Sequence, residues 1–383
     1  MKGNLKIVFS GMIAADPHQG GATWAVLQYL LGFRALGHDV CLIEPVRRKA
    51  LRPSQAVLGD TENAAYFREV VEQYGLTDHA ALLLEGSTET VGLSYESLRK
   101  ITENADILFN VSGMLQDERL LAGIARRVYL DLDPTFIQLW AAEYGIDMSF
   151  DAHNHFVTIG QEIGQPECDV PTCGRDWKTT HQPVVLSEWP VAEQIEHDAF
   201  TSIGNWRAYG SAESKGVFYG QKAHSVRDFM DLPSRTEENI ILALAIYAGD
   251  EKDIDALAAN GWACLDPRQV AGTPSDYRTF IQRSKAELGI AKHGYVQSQC
   301  GWFSDRSVCY LASGRPVVAQ DTGFSRRLPL GEGLLSFSTS EEAASAIDRV
   351  RSDYSRHSAA ARSIAEDIFD SNKVLPRLLE EVM

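Results

Sequence analysis

The sequence lacks the features that would place the chain in a membrane or along a nucleic acid. No apolar run approaches the roughly 20 residues that a helix needs to cross a bilayer. Basic residues are few, since 36 Lys and Arg stand against 52 Asp and Glu, for a formal net charge of −16. Binding along a phosphate backbone depends on an excess of Lys and Arg. We therefore predict no transmembrane segment and no nucleic-acid partner, although a local basic pocket for a small phosphate ligand is compatible with this charge.

Cysteine is also sparse and shows no metal-binding spacing. The six cysteines include no C-x-x-C pair, and Cys168 and Cys173 lie five apart in a stretch rich in Pro and Gly. Neither a zinc site nor a disulfide is favoured there, so we expect reduced thiols and a cytoplasmic location. The start of the chain is similar to a signal peptide, but its short apolar stretch runs into Asp16-Pro17-His18 without a small-residue cleavage pattern. We interpret it as a buried first strand.

The sequence does contain the alternation of an α/β protein. The run LKIVFSGMI, residues 5–13, is typical of a buried parallel strand, and the segment from Thr23 to Gly37 has apolar residues at helical spacing. HDVCLIEP, residues 38–45, completes a βαβ unit. Its glycine turn lies at the carboxyl end of the first strand, the edge at which open α/β sheets bind ligands.

The alternation divides the chain into two parts. The length of 383 residues allows two or three domains, and the loop-rich interruption over residues 151–190 favours two. We predict an α/β protein with two Rossmann-like doubly wound domains, residues 1–188 and 189–369, facing a cleft. Within them the pattern predicts a strand in 182–189, one helix over 275–289 and a short strand or loop over 290–296.

The stretch 300–324 is the most informative for chemistry. It reads as a glycine turn, a short helix closed by Gly314 and a buried strand that ends in Asp-Thr-Gly. Free N–H groups at a helix start bind phosphate well. Arg306 lies in that first turn, where the helix dipole does not favour it, so it either binds an anion or is a solvated surface residue. The candidate donor-binding residues here are Gly301, Ser304, Asp305, Arg306, Asp321, Thr322 and Gly323.

At this stretch the chain resembles the GT-B fold glycosyltransferases. CGW followed by a Ser and a helix with A-x-G-x-P-V-V is similar to the signature of the plant and macrolide transferases that use nucleotide-diphosphate sugars. LASGRPVVAQDTGF is similar to the donor-site stretch of hexosyl and bacillosamine-type transferases, and the glycine loop, helix and L-G-H-D-V strand near the N-terminus recur in GT-B enzymes. The resemblance implies an acceptor-binding domain over 1–188, a donor-binding domain over 189–369 and a helix over 370–383 that crosses back to the first domain. It also implies a UDP- or TDP-type sugar donor, no tightly bound cofactor and no metal.

The chain departs from these families at two carboxylates. Their Glu that typically holds the ribose is Cys309 here, and the Glu that faces the sugar in the hexosyl-type enzymes is Gly301. The His that opens the plant-type signature corresponds to Gln299. Asp305 is a candidate to supply the missing carboxylate from a shifted position.

A second donor-side cluster begins the C-terminal half. In GT-B enzymes the loop after the first strand of this domain commonly brings an Arg or Lys to the donor diphosphate, and the resemblance assigns that role to Arg207 and Lys222. Trp206 is either a stacking platform for a base or sugar, or a core residue. Lys222 is either a diphosphate ligand or a solvated helix lysine.

The N-terminal half contains polar residues suited to the acceptor and to proton transfer. His18 follows Asp16 in the first loop, and an imidazole can accept a hydroxyl proton near neutral pH. Asp131 and Asp133 share a strand face by period two, and a pair of histidines follows at the same spacing. These groups would form a metal site, a carboxylate–His pair that activates a hydroxyl, or hydrogen-bonded loop ends. We assign Asp16, His18, Asp133 and His155 to catalysis, Gly20, Gly21, Asp131 and His153 to the substrate, and no residue to a metal.

The resemblance, together with these residues, predicts a glycosyltransferase that moves a sugar from a nucleotide-diphosphate sugar to a hydroxyl acceptor, either a small molecule or a glycan. Helix amides with Arg207, Lys222 and Arg306 would stabilise the departing diphosphate. Two alternatives stay open, since a fold does not determine a function. One is a nucleotide-sugar epimerase or hydrolase, and the other is a non-catalytic nucleotide-sugar-binding protein, which the missing Glu residues favour.

Overall fold

The computed structural model describes residues 3–247 and 249–383. Its first sheet contains eight strands: β1 (Lys6–Ser10), β2 (Asp39–Val46), β3 (Ala80–Leu84), β4 (Thr90–Gly92), β5 (Ile107–Val111), β6 (Arg127–Asp131), β7 (His155–Thr158) and β8 (Trp177–Thr179). They lie in the order β4-β3-β2-β1-β5-β6-β7-β8, and only β4 is antiparallel to its neighbour. Its helices are α1 (Gly20–Ala35), α2 (Glu62–Gln73), α3 (Tyr95–Glu103), α4 (Glu118–Leu121) and α5 (Phe136–Tyr144).

The second part of the chain repeats this architecture. A small antiparallel hairpin is formed by β10 (Ala212–Ser214) and β11 (Val217–Tyr219). The second sheet contains β9 (His197–Asn205), β12 (Asn239–Ala245), β13 (Ala263–Leu265), β14 (Ser284–Gly289), β15 (Val317–Gln320) and β16 (Leu334–Phe337). All six are parallel, in the order β13-β12-β9-β14-β15-β16, which is the 3-2-1-4-5-6 order of a Rossmann domain.

Nine α-helices of the described residues accompany the second sheet and the end of the chain. They are α6 (Lys222–Asp228), α7 (Glu251–Ala259), α8 (Pro267–Ala271), α9 (Pro274–Arg283), α10 (His293–Ser298), α11 (Asp305–Ala312), α12 (Ser340–Ser352), α13 (Tyr354–Ile364) and α14 (Ser371–Val382).

Both sheets are covered on their two faces, as parallel strands require. Successive residues of β1 enter different cores: Ile7 and Phe9 pack into one, and Val8 into another. β3 and β15 are buried along their whole length. The structure therefore confirms the predicted fold class, two doubly wound α/β domains. Within the described residues, no helix is both long enough and apolar enough to span a bilayer.

Three local predictions are wrong. The helix predicted over 275–289 ends at Arg283, because residues 284–289 form β14, which inserts between β9 and β15 and pairs with both. Residues 293–298 form α10 instead of a strand or loop. Residues 182–189 are loop and turn, with one bridge from Val184 to Asp370. At residues 284–289 the pairing with β9 and β15 outweighs the local helical spacing.

The last helix packs on the first domain. A Cβ on Gly32 of α1 would lie 2.5 Å from Leu375 Cδ1 of α14, so the glycine allows the two helices to approach. At the far end of α14, the Arg126 guanidinium donates to the Met383 carbonyl over 2.7 Å. These contacts and the Val184–Asp370 bridge attach the end of the chain to the first domain.

Candidate active site

A cleft cavity of about 560 Å³ lies between the carboxyl ends of the two sheets. One wall is the first loop and the start of α1, residues 18–22. The other wall comes from the ends of β9, β12 and β13 and from the start of α11. Of the residues predicted from sequence, His18, Gly20, Gly21, Asp305 and Arg306 line this cavity.

The glycine turn at the start of α1 is also the point where the two domains touch. A Cβ on Gly20 would lie 2.3 Å from the Thr273 carbonyl oxygen, and one on Gly21 would lie 2.9 Å from the Tyr277 ring. Nearby, the Trp24 indole N–H donates to the Pro274 carbonyl over 2.8 Å. The two glycines therefore bring the N–H groups of a 16-residue helix to the cavity while the second domain packs directly against them.

Arg306 is a buried residue of the opposite wall. Its Nε donates to Glu287 Oε1 over 2.6 Å, and its Nη1 donates to the Ile203 carbonyl over 2.8 Å. Glu287, in the middle of β14, is wholly buried. The interpretation of Arg306 as a solvated surface residue is therefore wrong, and the guanidinium lines the cavity in a fixed orientation.

Lys222 is a buried cation with an incomplete environment. Its ammonium donates to the Ile290 carbonyl, and among the residues that the structure describes it has no carboxylate within salt-bridge distance. Burial lowers the pKa of Lys222 well below its ordinary value, and the positive charge of Arg306 lowers it further. A Cβ on Gly204, which lines the cavity, would lie 3.5 Å from Lys222 Cε. Lys222 is thus not the solvated lysine that one interpretation predicted.

The start of α11 adds backbone donors and a carboxylate to the same wall. Ser304 caps the helix by accepting the Arg306 N–H at 3.2 Å. Asp305 is half-buried and lines the cavity, and burial raises the pKa of its carboxyl group. Cys309, the residue in place of the ribose-binding Glu, is buried one turn deeper and accepts a contact from Gln28 at 3.7 Å.

Two residues of the second predicted cluster are engaged elsewhere. Arg207 makes a two-point ion pair with Asp250, at 2.9 and 3.2 Å. Trp206 is wholly buried in the core of the second domain, and its indole N–H donates to Asp253 over 2.9 Å. Stacking of Trp206 on a ligand is therefore corrected to core packing, because the ring has no open face.

The Asp-Thr-Gly segment and Gly301 pack against each other instead of lining the cavity. The Gly301 N–H donates to the Thr322 carbonyl over 2.8 Å, and Asp321 accepts the Gly323 N–H over 3.0 Å. A Cβ on Gly301 would lie 2.9 Å from the Glu162 nitrogen. These residues join two loops of the second domain to the first domain.

Asp133 faces the second domain at another part of the cleft. Its carboxylate accepts from Lys292 Nζ at 3.2 Å and from the Tyr295 hydroxyl. Asp131, two residues earlier, is wholly buried and accepts from Gln138 and Thr158, each at 2.8 Å. Burial raises the pKa of Asp131 to about 6. Asp131 therefore supports the turn that carries Asp133, and substrate contact is corrected to a structural role.

The two histidines do not join these aspartates. His153 is buried, accepts from Asn110 at 3.0 Å and donates to the Ser149 carbonyl over 2.8 Å. Burial lowers the pKa of His153 to about 4, so the ring is neutral near pH 7, and both of its nitrogens are hydrogen-bonded.

His155 opens β7 and pairs with Val128, whereas Asp131 pairs with Thr158 three residues further on. His155 therefore lies at the amino edge of the sheet, away from the cleft, and its catalytic assignment is corrected. The joint site that the sequence left open for the aspartates and histidines does not form, because the register of β6 and β7 separates the two pairs. Among the described residues, no group of three His, Cys, Asp or Glu side chains is placed to hold a metal ion.

The remaining first-loop residues differ in position. His18 has a left-handed backbone, with φ of 64°, and its Nε2 lies 2.9 Å from Glu62 Oε1 at the cavity rim. Asp16 pairs with Arg52 on the surface. His18 is therefore oriented by a carboxylate in the cleft, while Asp16 is occupied outside it.

Sequence reasoning missed two charged residues, Glu287 and Lys292. Glu287 was hidden because its segment was predicted as a helix, although a single Glu inside the apolar run AELGI is a recognisable signal. Lys292 follows β14 and was not singled out. Tyr247, a half-exposed aromatic residue at the cavity edge, was missed as well.

Comparison with known proteins places the fold. No family model matches the sequence, and no curated protein sequence matches it. HepE of Anabaena, solved in complex with UDP-glucose, is similar with a TM-score of 0.59 and 12% identity, over 98% of this chain and 99% of that one. A further HepE structure, with UDP and glucose, has a TM-score of 0.58 and 11% identity to this chain. An alpha-glucosyltransferase in complex with UDP-glucose and DNA containing an abasic site gives 0.61 and 15%, over 99% and 100% of the two chains. The two parallel-sheet domains facing a cleft are thus the GT-B fold that the sequence resemblance predicted.

Proposed function

We propose that the chain is a glycosyltransferase that moves a sugar from a UDP-type donor to a hydroxyl acceptor. The second domain binds the nucleotide, and the first domain presents the acceptor across the cleft. The prediction of no nucleic-acid partner stays a prediction, since one protein of similar fold was solved with DNA.

The observation that carries this proposal is the environment of Lys222. Burial of an ammonium that has no carboxylate within salt-bridge distance among the described residues is costly, and an anionic ligand would stabilise it. Arg306 lies beside it, and both side chains approach Gly204 of the cavity wall. A diphosphate placed there would satisfy Lys222 and accept hydrogen bonds from Arg306.

Two helix N-termini support the same position. α1 brings residues 20–22 and α11 brings Asp305 and Arg306 to the cavity from opposite domains. Positive charge at helix starts stabilises the negative charge that develops on a departing diphosphate. Because these groups are fixed before the donor arrives, we propose that transfer proceeds without a divalent metal.

We further propose that Asp305 replaces the Glu that is absent at Cys309. Asp305 is the carboxylate of α11 that lines the cavity, and two acceptor oxygens suit a ribose diol. Tyr247 at the cavity edge offers an aromatic face for the base. On the acceptor side, His18 is placed to receive a proton and Asp133 to orient a hydroxyl.

Calorimetry with UDP, TDP and GDP, followed by an assay of UDP release from UDP-glucose, tests the proposal. UDP should bind, and Lys222→Met should weaken its affinity by roughly 10- to 100-fold, since a charge-assisted contact contributes about 1.5–3 kcal/mol. Lys285→Met is the matched control, because Lys285 is a half-buried lysine paired with Glu238 and Asp198. Wild-type protein that binds none of the nucleotides would refute the proposal.

The pH dependence gives an independent check. The diphosphate favours the protonated form of Lys222, whose pKa in the free protein is lowered by burial. UDP affinity should therefore fall as pH rises through that lowered pKa, and UDP binding should be accompanied by proton uptake. Calorimetry in buffers of different ionisation enthalpy measures this uptake. Lys222→Met should lose the proton uptake.

One observation favours a second candidate, a non-catalytic nucleotide-sugar-binding protein. The positions of both family Glu residues hold side chains without a carboxylate, Cys309 and Gly301. UDP-glucose binding without UDP release, with and without EDTA and across sugar, lipid-linked and duplex DNA acceptors, would select this candidate.

A further inference from the structure

The Asp133 carboxylate is held by residues of the opposite domain. Its ion-pair partner Lys292 and its hydroxyl donor Tyr295 both follow β14 in the second sheet, whereas Asp133 follows β6 in the first. Among the described residues of its own domain, the hydrogen bond that Asp133 makes is from its backbone N–H to Asp131 over 2.9 Å. The orientation of this carboxylate therefore depends on contact between the domains.

Lys292 is itself confined by aromatic rings. Its ammonium lies 4.0 Å from the ring centre of Tyr209, 5.2 Å from that of Tyr295 and 5.4 Å from that of Phe136. It also contacts the Tyr209 hydroxyl. Rings at these distances attract a cation and restrict its movement. Lys292 thus holds Asp133 from a fixed position, which a flexible surface lysine would not do.

The turn that carries Asp133 is strained and is fixed by the same loop of the second domain. Thr135 has φ of 77° and ψ of −58°, a conformation that a β-branched residue adopts only under constraint. Its hydroxyl donates to Ser298 over 2.7 Å, at the end of the helix that follows Lys292. The Phe136 ring occupies the space beside Gly294, where a Cβ would lie 2.5 Å away. Strain of this kind is retained where the surrounding contacts impose it, often at functional sites.

We propose that Lys292 and Tyr295 are positioning residues that orient Asp133 for transfer, so that the acceptor side of the site is complete only when the two domains are in contact. This inference rests on the proposed function. Opening of the cleft separates Asp133 from Lys292 and leaves the carboxylate without its orienting partners.

A double-mutant cycle on UDP release from UDP-glucose, with water as the acceptor, tests this coupling. Asp133→Asn and Lys292→Met should each lower kcat by roughly 10- to 100-fold, while UDP affinity stays within about twofold because neither residue lines the nucleotide cavity. The double variant should be no slower than the slower single variant, since both changes remove one interaction. Additive losses, or an unchanged kcat in Lys292→Met, would overturn the proposal.

Two further variants keep the result interpretable. Tyr295→Phe removes only the hydroxyl that donates to Asp133 and should lower kcat by a smaller factor with the same UDP affinity. Lys285→Met removes an ion pair within the second domain and should leave kcat unchanged. If Lys292→Met fails to fold, Tyr295→Phe decides: an unchanged kcat in that variant overturns the proposal.

Failure of the proposed function would look different. Wild-type protein would then neither bind UDP nor release it from UDP-glucose. The cross-domain contact would still be measured by small-angle X-ray scattering, in which Lys292→Met and Asp133→Asn should show a larger radius of gyration than Lys285→Met. Equal radii in all three variants would overturn the structural part of the inference.

Discussion

Glu44 should make the stability of this protein depend on pH in a direction opposite to that of most carboxylates. It lies in β2, wholly buried, and its Oε1 accepts the N–H groups of Ala14 and Ala15 at 2.7 and 2.6 Å. Among the described residues, its Oε2 has no hydrogen-bond partner. Burial raises the pKa of Glu44 from 4.5 to about 7, against the opposing effect of the backbone N–H groups.

The sign follows from the proton balance of the two states. The folded state keeps the Glu44 proton up to about pH 7, whereas the unfolded chain releases it near 4.5. The unfolded state therefore becomes relatively more stable as pH rises through this window. At about 1.4 kcal/mol for each pH unit, ionisation of Glu44 lowers the free energy of unfolding by about 3 kcal/mol once pH exceeds both values.

Glu44→Gln removes this dependence while keeping the oxygen that holds the loop. The difference in unfolding free energy between Glu44→Gln and wild type should shift by about 2–3 kcal/mol in favour of the variant between pH 5 and pH 8. Urea unfolding followed by circular dichroism measures it at both pH values. Glu103→Gln, at an exposed helix residue, is the matched control and should show no such trend.

If the difference in unfolding free energy between Glu44→Gln and wild type is constant from pH 5 to pH 8, the reasoning is refuted. Because the amide still accepts from Ala14 and Ala15, the first loop should keep its shape, and UDP affinity at pH 7 should equal that of wild type. Loss of UDP binding in a stable Glu44→Gln protein would show that the negative charge itself shapes the cleft.

Two further predictions concern contacts that build the cleft. Gly20→Ala should lower both the melting temperature and UDP affinity, because its methyl group would overlap the Thr273 carbonyl, whereas Gly210→Ala meets nothing within 4 Å and should change neither. Arg306→Met should destabilise the protein by about 3–5 kcal/mol in urea unfolding, because it leaves Glu287 buried and unpaired. The double variant with Glu287→Gln should recover part of that loss, and a double variant as unstable as the sum of the two single changes would contradict this account.

The parts of the fold that the sequence predicts well are those encoded locally. The βαβ unit at the start follows from a five- to nine-residue apolar strand, a glycine turn and a helix with apolar spacing. Gly37, with φ of 88°, ends α1 as predicted, because only glycine adopts that backbone without strain. The helix begins at Gly20 instead of near Thr23, and its first turn packs against the second domain.

The segment SKAELG shows why other parts were not predictable. It continues the helical spacing of the preceding residues, and neither Gly nor Pro separates Arg283 from Ser284. It becomes β14 because β9 and β15 offer pairing partners on both sides. Local propensity is worth tenths of a kcal/mol per residue, and a central strand position outweighs it. Because this strand was not predicted, the role of Glu287 within it was not predicted either.

Which basic side chain lacks a carboxylate partner could not be predicted either, because the partners are distant in the sequence. Arg207, Lys222 and Arg306 look alike in the sequence, each near a glycine turn of the second domain. In the fold, Arg207 meets Asp250 and Arg306 meets Glu287, whereas Lys222 is buried beside a carbonyl without a carboxylate among the described residues. The partners Asp250 and Glu287 are brought to Arg207 and Arg306 by the tertiary fold, which no local sequence pattern encodes. Of the three cations, Lys222 is the one left without a carboxylate partner among the described residues, and this is why the proposed diphosphate site is built around it.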